Sequence, residues 1–218
     1  MSKKAEQTEK KLLQCAKDEF LEKGFLGANM RSIAQRAGMT TGAIYRYYED
    51  KNAMFEAITK PVLDEFNVVF QHTSSVQSEL LDHNELESRM PVASRMLLGF
   101  VEYMYRWFDE FDMLVNGSAG SSLENFADKW IEADIEATRL YMDKLVAMGQ
   151  LRNYPSMRVI AIFVKQGYWG ILEAVASRMT YEEAMDYMRY LIPFMQAGWK
   201  TLLEEGGGTA QNERELRQ

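Results

Sequence analysis

The chain has a single cysteine, two histidines and four prolines among 218 residues. Cys15 alone cannot close an internal disulfide. With no CxxC pair and no histidine near it, it reads as a buried or half-buried small hydrophobe rather than a redox centre. His72 and His83 fall in a polar stretch with Glu79, Asp82, Glu85 and Glu87, which reads as a solvated loop, and no metal is expected. GxGxxG, the P-loop, GxSxG and HExxH are all missing, so nothing argues for catalysis or a bound cofactor. No apolar run reaches the length that spans a bilayer. The opening residues, Met1-Ser-Lys-Lys-Ala-Glu-Gln-Thr-Glu, lack the apolar segment of a secretory signal. The expectation is a cytoplasmic, non-enzymatic protein without a membrane partner. Strand-like alternation and internal repeats are also wanting, which leaves an all-α chain.

What is present is apolar material for a core, 47% of residues, and an uneven charge. The net charge is −7. Residues 1–60 hold 11 Lys and Arg against 8 Asp and Glu, a balance of +3; the rest, 14 against 24, stands at −10. A basic front on an acidic body suits a polyanion at one end only.

The front contains Met30-Arg-Ser-Ile-Ala-Gln-Arg-Ala-Gly-Met-Thr-Thr-Gly-Ala-Ile-Tyr-Arg-Tyr-Tyr48. Asn29 is a good N-cap for a helix whose apolar face is Ile33, Ala34 and Ala37, and Gly38 supplies the left-handed residue that ends it. Met39 plugs the crevice. Thr40 caps a second helix, Thr41 to about Tyr47, with Ile44 inside and small Gly42 and Ala43 allowing close approach. The outer side of that helix carries Thr41, Tyr45 and Arg46, followed by Tyr47 and Tyr48. This is the spacing of a helix-turn-helix, and hydroxyls with a guanidinium suit phosphates and base edges. An ordinary helical hairpin with exposed aromatics has the same spacing.

Ile33-Ala34, Ala37-Gly38-Met39-Thr40, Gly42, Ile44-Tyr45, Tyr47-Tyr48 and Lys51 together resemble the DNA-binding signature of the TetR family of transcriptional regulators. The likeness runs from Gly24-Phe25 through Phe55. Asn29 stands where the family usually has Thr, and Tyr48 where it usually has Phe, so the Tyr48 hydroxyl needs a partner or solvent. The resemblance implies an N-terminal three-helix helix-turn-helix head on a larger helical ligand-binding and dimerisation body. It implies a homodimer on a double-stranded, palindromic operator, most often a repressor, and a small-molecule effector. Thr41, Tyr45 and Arg46 are the candidates for base or near-base contacts. Asn29, Tyr47, Tyr48 and Lys51 are the candidates for phosphates, with Arg31, Thr40 and Gly42 completing the surface. Lys51 also opens a helix, whose N-terminus attracts anions.

Ahead of the motif, a first helix is expected over about Ala5 to Lys23, ended by Gly24. Leu12, Leu13, Ala16, Phe20 and Leu21 form its apolar face, and Phe25 packs beneath the motif. Asp50 caps the next helix, which holds Met54, Phe55 and Ile58, meets Pro61, and continues its stripe through Phe66 and Phe70. Gln71–Ser88 reads as a loop. Helices follow at about Pro91–Phe108, Leu123–Met148 (ended by Gly149), Ser156–Arg178 and Tyr181–Leu203, with a break over Asp112–Ser122. The last two are apolar on more than one face, so each needs two partners, and a second copy of the chain is the economical outer one. The expected domains are a head at 1–48, a body at 49–205 and a disordered tail at 206–218. The chain has 15 methionines and four tryptophans. Phe66, Phe100, Tyr103, Met104, Trp107, Trp130, Tyr141, Met142 and Tyr168 are candidates to line a cavity for a hydrophobic or aromatic ligand; plain core packing is the competing account. Outside the regulator class, the readings left open are a helical small-molecule-sequestering protein and a helical enzyme.

Overall fold

A computed structural model describes residues 3–82, 86–151 and 154–204, without the side chains of residues 4, 72–93, 203 and 204. Every regular element among them is a helix, as expected: α1 (Lys3–Gly27), α2 (Met30–Ala37), α3 (Thr41–Ile44), α4 (Lys51–Asp82), α5 (Leu86–Arg106), α6 (Phe108–Gly117), α7 (Asp128–Ala147), α8 (Met157–Ala176) and α9 (Tyr181–Glu204). The expected tail at 206–218, together with His83 and Glu85, lies outside the described residues. So do the side chains of His72, Glu79, Asp82 and Glu87.

Three expectations about the layout are corrected. Gln71–Asp82 is not a loop but the continuation of α4, and α5 already begins at Leu86. The stretch is polar, yet no Gly or Pro interrupts it after Pro61, so nothing stops the helix. Asp112–Asn116 is not a break: it lies in α6, which buries Phe111, Met113 and Leu114. The chain breaks earlier, at Trp107 (φ −120, ψ 42), and again after Gly117, so that α7 starts only at Asp128. Finally, α8 is long and apolar enough to cross a bilayer by length and composition, with a mean hydropathy of 1.3. Its exposed Lys165 and Gln166 sit at mid-helix, where a bilayer would penalise them.

The helices sort into two compact units. One takes Met1–Phe70, Tyr103–Phe126 and Val175–Arg178; the other takes Gln71–Glu102, Ala127–Ala174 and Met179–Gln218. In the first, Leu12, Ala16 and Phe20 of α1 are buried with Ile33 and Ala34 of α2, Ile44 of α3 and Met54 and Phe55 of α4. Phe20, Phe25 and Phe55 pack edge-on and stacked, with ring centroids 5.1 to 6.1 Å apart. Gly24 (φ 65, ψ 174) interrupts α1, so its helical run ends where the sequence placed the stop. That combination of angles is open to glycine and little else. There the chain lies against α6, a Cβ on Gly24 falling 3.7 Å from Gly117 Cα. Lys17 of α1 also bonds Asp109 Oδ2 and Glu110 Oε1 of α6, both at 2.9 Å.

In the second unit α8 and α9 lie close because Gly167 and Gly170 leave room. A Cβ on Gly167 would stand 2.9 Å from Met195 Cε, and the Tyr187 hydroxyl donates to Gly170 O at 2.9 Å. Ile160, Val164, Ile171 and Leu172 of α8 are buried, as are Ala184 and Met188 of α9.

Candidate nucleic-acid interface

Each end of the two short helices is satisfied from its own sequence. Asn29 Oδ1 accepts from Ser32 N at 2.9 Å, and Asn29 itself is extended (φ −142, ψ 149). Gly38 takes the left-handed conformation (φ 70, ψ 31), and Met39 N then closes on Ala34 O at 2.9 Å. Thr40 Oγ1 accepts from Ala43 N at 3.2 Å, which starts α3. One α-helical turn is followed by bonds to the third residue back, Tyr47 N to Ile44 O at 2.8 Å among them. The second helix is therefore shorter than Thr41–Tyr47; it tightens after Ile44, and Asp50 Oδ1 caps α4 through Ala53 N at 2.7 Å.

Ile44 is fully buried, so the opposite side of α3 faces outward. Gly42, Tyr45 and Arg46 are exposed there, and Thr41 and Tyr47 flank them half-buried. The side chains of Thr41, Tyr45 and Arg46 make no hydrogen bond or ion pair among the described residues. Arg31 is exposed in the first turn of α2, and Asn29 and Thr40 are exposed at the two N-caps. The expected close approach at Gly42 is corrected: a Cβ there would meet nothing within 4 Å. The open side of Gly42 is the solvent side.

Two candidates are turned inward. The Lys51 ammonium donates to Phe25 O and, at 3.0 Å, to Ala28 O, and lies 4.4 Å from the centre of the Phe25 ring. It thereby satisfies the carbonyls that end α1. The Tyr48 hydroxyl finds the partner its position required, donating to Glu9 Oε1 at 3.0 Å. Burial, then the Glu9 hydrogen bond and charge, push its pKa up. Both side chains tie the motif to its scaffold.

Glu19 is the residue the sequence reading missed. It is fully buried on the inner face of α1. Lys23 Nζ donates to Oε1 at 2.8 Å, and Oε2 takes Ser32 Oγ at 2.8 Å and Arg36 Nε at 3.1 Å. Arg36 also pairs with Glu22. Burial pulls the Glu19 pKa up, but the Lys23 and Ser32 hydrogen bonds and the Lys23 and Arg36 charges outweigh it and hold the carboxyl below its ordinary 4.5. A carboxylate at the register of Leu12, Ala16 and Phe20 was the available signal.

The candidates for a ligand cavity are divided between the units. Phe66, Tyr103 and Met104 are buried in the unit holding α1 to α3, where the Tyr103 hydroxyl donates to Val62 O at 2.8 Å and Phe66 lies 5.6 Å from Tyr103. Trp107 is half exposed at the α5–α6 break. Phe100, Trp130, Tyr141, Met142 and Tyr168 belong to the other unit; Trp130 and Met142 are buried there. Burial and then the Asp134 charge push the Tyr168 pKa up.

A capped helix, a left-handed glycine turn and a second helix with one buried and one open face form a helix-turn-helix, the geometry with which many proteins enter the major groove. Residues 12–58 match the family described as bacterial regulatory proteins, tetR family. An uncharacterized HTH-type transcriptional regulator, YdgC of Bacillus subtilis, is 33% identical over 50% of this chain and 52% of its own length, so the chain spans about half of that relative. The HTH-type transcriptional repressor AcnR of Corynebacterium glutamicum is 25% identical over 76% of this chain and 80% of its own. Among solved structures, a SmeT–triclosan complex shares the fold over 88% of this chain and 91% of that one, at 20% identity and a TM-score of 0.56. The match to the tetR family covers the helix-turn-helix region, and the helical fold as a whole is similar to that of regulators of this family.

Proposed function

We propose that the protein is a homodimeric repressor acting on DNA in the cytoplasm, released from a palindromic operator by a small, mainly hydrophobic or aromatic effector. The observation that carries the DNA part is the outward side of α3. Thr41, Tyr45 and Arg46 stand there without hydrogen-bond or ion-pair partners among the described residues, on a turn whose N-caps are satisfied. Thr41, Tyr45 and Arg46 read base edges. Arg31, Asn29, Thr40 and Tyr47 meet the flanking phosphates, and Gly42 lets the sugar-phosphate backbone approach. The N-terminus of α4 adds its amides, while Lys51 and Tyr48 hold the scaffold.

Repression is favoured by the likeness to AcnR, which is named a repressor. The effector reading rests on the aromatic and methionine side chains of the body, and a structural neighbour solved as a triclosan complex is consistent with it. Dimerisation rests on the apolar outer faces of α8 and α9: Val159, Ile162, Phe163, Trp169, Tyr190 and Phe194 are all substantially exposed in the single chain. The domains proposed are a head at 1–48 and a body from 49.

The test is selection from a pool of random duplex DNA, followed by binding to the enriched duplex across a salt series. A palindromic consensus and a steep inverse dependence of affinity on salt are expected. A slope near zero, with no consensus, would instead favour a sequestering protein.

A further inference from the structure

The turn after α6 is bonded to the first turn of α4 by a closed set of hydrogen bonds. The Asn52 carboxamide takes Ser122 with both ends: Ser122 N donates to Oδ1 at 2.9 Å, and Nδ2 donates to Ser122 Oγ at 3.0 Å. The same Nδ2 reaches Glu56 Oε1 at 2.9 Å, and Ser122 Oγ donates to that carboxylate oxygen at 2.6 Å. Only a residue with both an amide N–H and a hydroxyl fills the Ser122 position in this ring.

These bonds are not needed to form α4. Asp50 already caps it, and Lys51 already ties it to the end of α1. What they fix is where its first turn lies relative to the turn at 118–122. That turn is itself anchored. Gly120 lies under Leu26, where a Cβ would come within 2.6 Å of Leu26 Cδ2. The preceding helix is bonded to the C-terminal end of α8: Asp112 Oδ1 accepts from Arg178 Nε at 3.1 Å and from Asn116 Nδ2 at 2.6 Å, and Asn116 Nδ2 also reaches Val175 O at 3.3 Å. At the other end, α3 joins α4 through the short turn Tyr45–Asp50, so a change in the bearing of the α4 first turn carries α3 with it.

We infer that Ser122, gripped by Asn52 and Glu56, is a positioning residue for operator recognition that sets which half-site spacing the protein accepts. This rests on the DNA-binding reading above. Ser122 touches no DNA; it acts by holding the first turn of α4, and hence α3, at one bearing.

The experiment is the random-duplex selection run in parallel on wild type, Ser122→Ala and Ser122→Thr, with thermal melting of each. Duplexes carrying the selected half-sites at the selected spacing and one base pair wider are then compared. Wild type should enrich one spacing. Ser122→Ala should keep the half-site sequence and the melting temperature while its preference between the two spacings falls by about two- to tenfold, the range one hydrogen bond of ordinary net strength controls. Ser122→Thr, which keeps the hydroxyl, should retain the preference. An undiminished preference in Ser122→Ala overturns the inference. So does a parallel loss of melting temperature and of affinity at both spacings, which would mark a purely structural role. If wild type itself enriches no palindrome, the DNA-binding reading fails and takes this one with it.

Discussion

The Ser32 hydroxyl of α2 donates to Glu19 Oε2 of α1 at 2.8 Å, and this bond crosses the joint on which the motif sits. Ser32 is also the residue whose amide Asn29 caps. One serine thus fixes the start of α2 and its seat on α1. Because Glu19 is fully buried, its charge is tolerable only while Lys23, Ser32 and Arg36 all reach it.

Glu19→Gln should therefore loosen the whole motif. It keeps the shape but removes the charge that Lys23 and Arg36 answer. A loss of about 1.5–3 kcal/mol in urea unfolding at neutral pH is expected, the range for a hydrogen bond to a charged group. The pH dependence has a definite sign. The folded carboxyl titrates below its ordinary 4.5, so its stabilisation is complete above that value and fades as pH falls through the lower, folded one. The gap between wild type and Glu19→Gln should close on acidification below about pH 4.5. A constant gap down to acid denaturation would show that the charge contributes nothing.

Lys51 yields a prediction that separates scaffold from contact. Lys51→Met removes the donor to the Phe25 and Ala28 carbonyls while keeping an apolar stem over the Phe25 ring. Unfolding free energy should fall by about 1–3 kcal/mol. The dependence of log affinity on log salt should stay as in wild type, whereas Arg31→Ala should reduce that slope by about one phosphate's worth and Arg46→Ala should cost about 1–3 kcal/mol of duplex affinity and relax base preference. A reduced slope in Lys51→Met would return Lys51 to the phosphate contacts.

The motif was legible because its signals are local. Asn29, Gly38, Thr40 and Asp50 each act on a backbone group within a few residues, so the sequence places them without knowing the fold. Glu19 was legible only as a carboxylate in the apolar register of α1, since its partners Ser32 and Arg36 come from the next helix and a glutamate on a helix usually reads as surface. The inward turn of Lys51 depends on the distant carbonyls of Phe25 and Ala28. In the body, polarity over Gln71–Asp82 was mistaken for a loop because a polar helix and a loop share a composition. The break at Trp107 has no glycine or proline to announce it; a tryptophan with a half-exposed ring fills the position.

Two glycines should behave in opposite ways. Gly24→Ala meets the positive φ of that residue and should cost about 1–3 kcal/mol, whatever space surrounds it. Gly42→Ala has open space and a helical backbone, so the head should gain about 0.5–1 kcal/mol. That added methyl projects from the α3 surface proposed to meet DNA. Duplex affinity should fall while stability rises, and the pair of measurements decides the matter. If affinity and stability rise together, Gly42 lies away from the DNA.

The outer faces of α8 and α9 lead to the last expectation. Tyr190 and Phe194 of α9 are 73% and 77% exposed, one helical turn apart on the same side, and Ile162, Phe163 and Trp169 are open on α8. An apolar surface of this kind on two adjacent helices is the anatomy of a self-complementary interface. Phe194 is 77% exposed in the single chain, so Phe194→Asp should leave the melting of an isolated protomer little changed. In sedimentation at micromolar concentration, wild type should run as a dimer and Phe194→Asp as a monomer. Duplex binding should then lose its preference for paired half-sites while a single half-site is still bound weakly, because the outward side of α3 does not depend on α9. A variant that stays dimeric would move the interface away from this face, and the palindrome would need another source of two-fold symmetry.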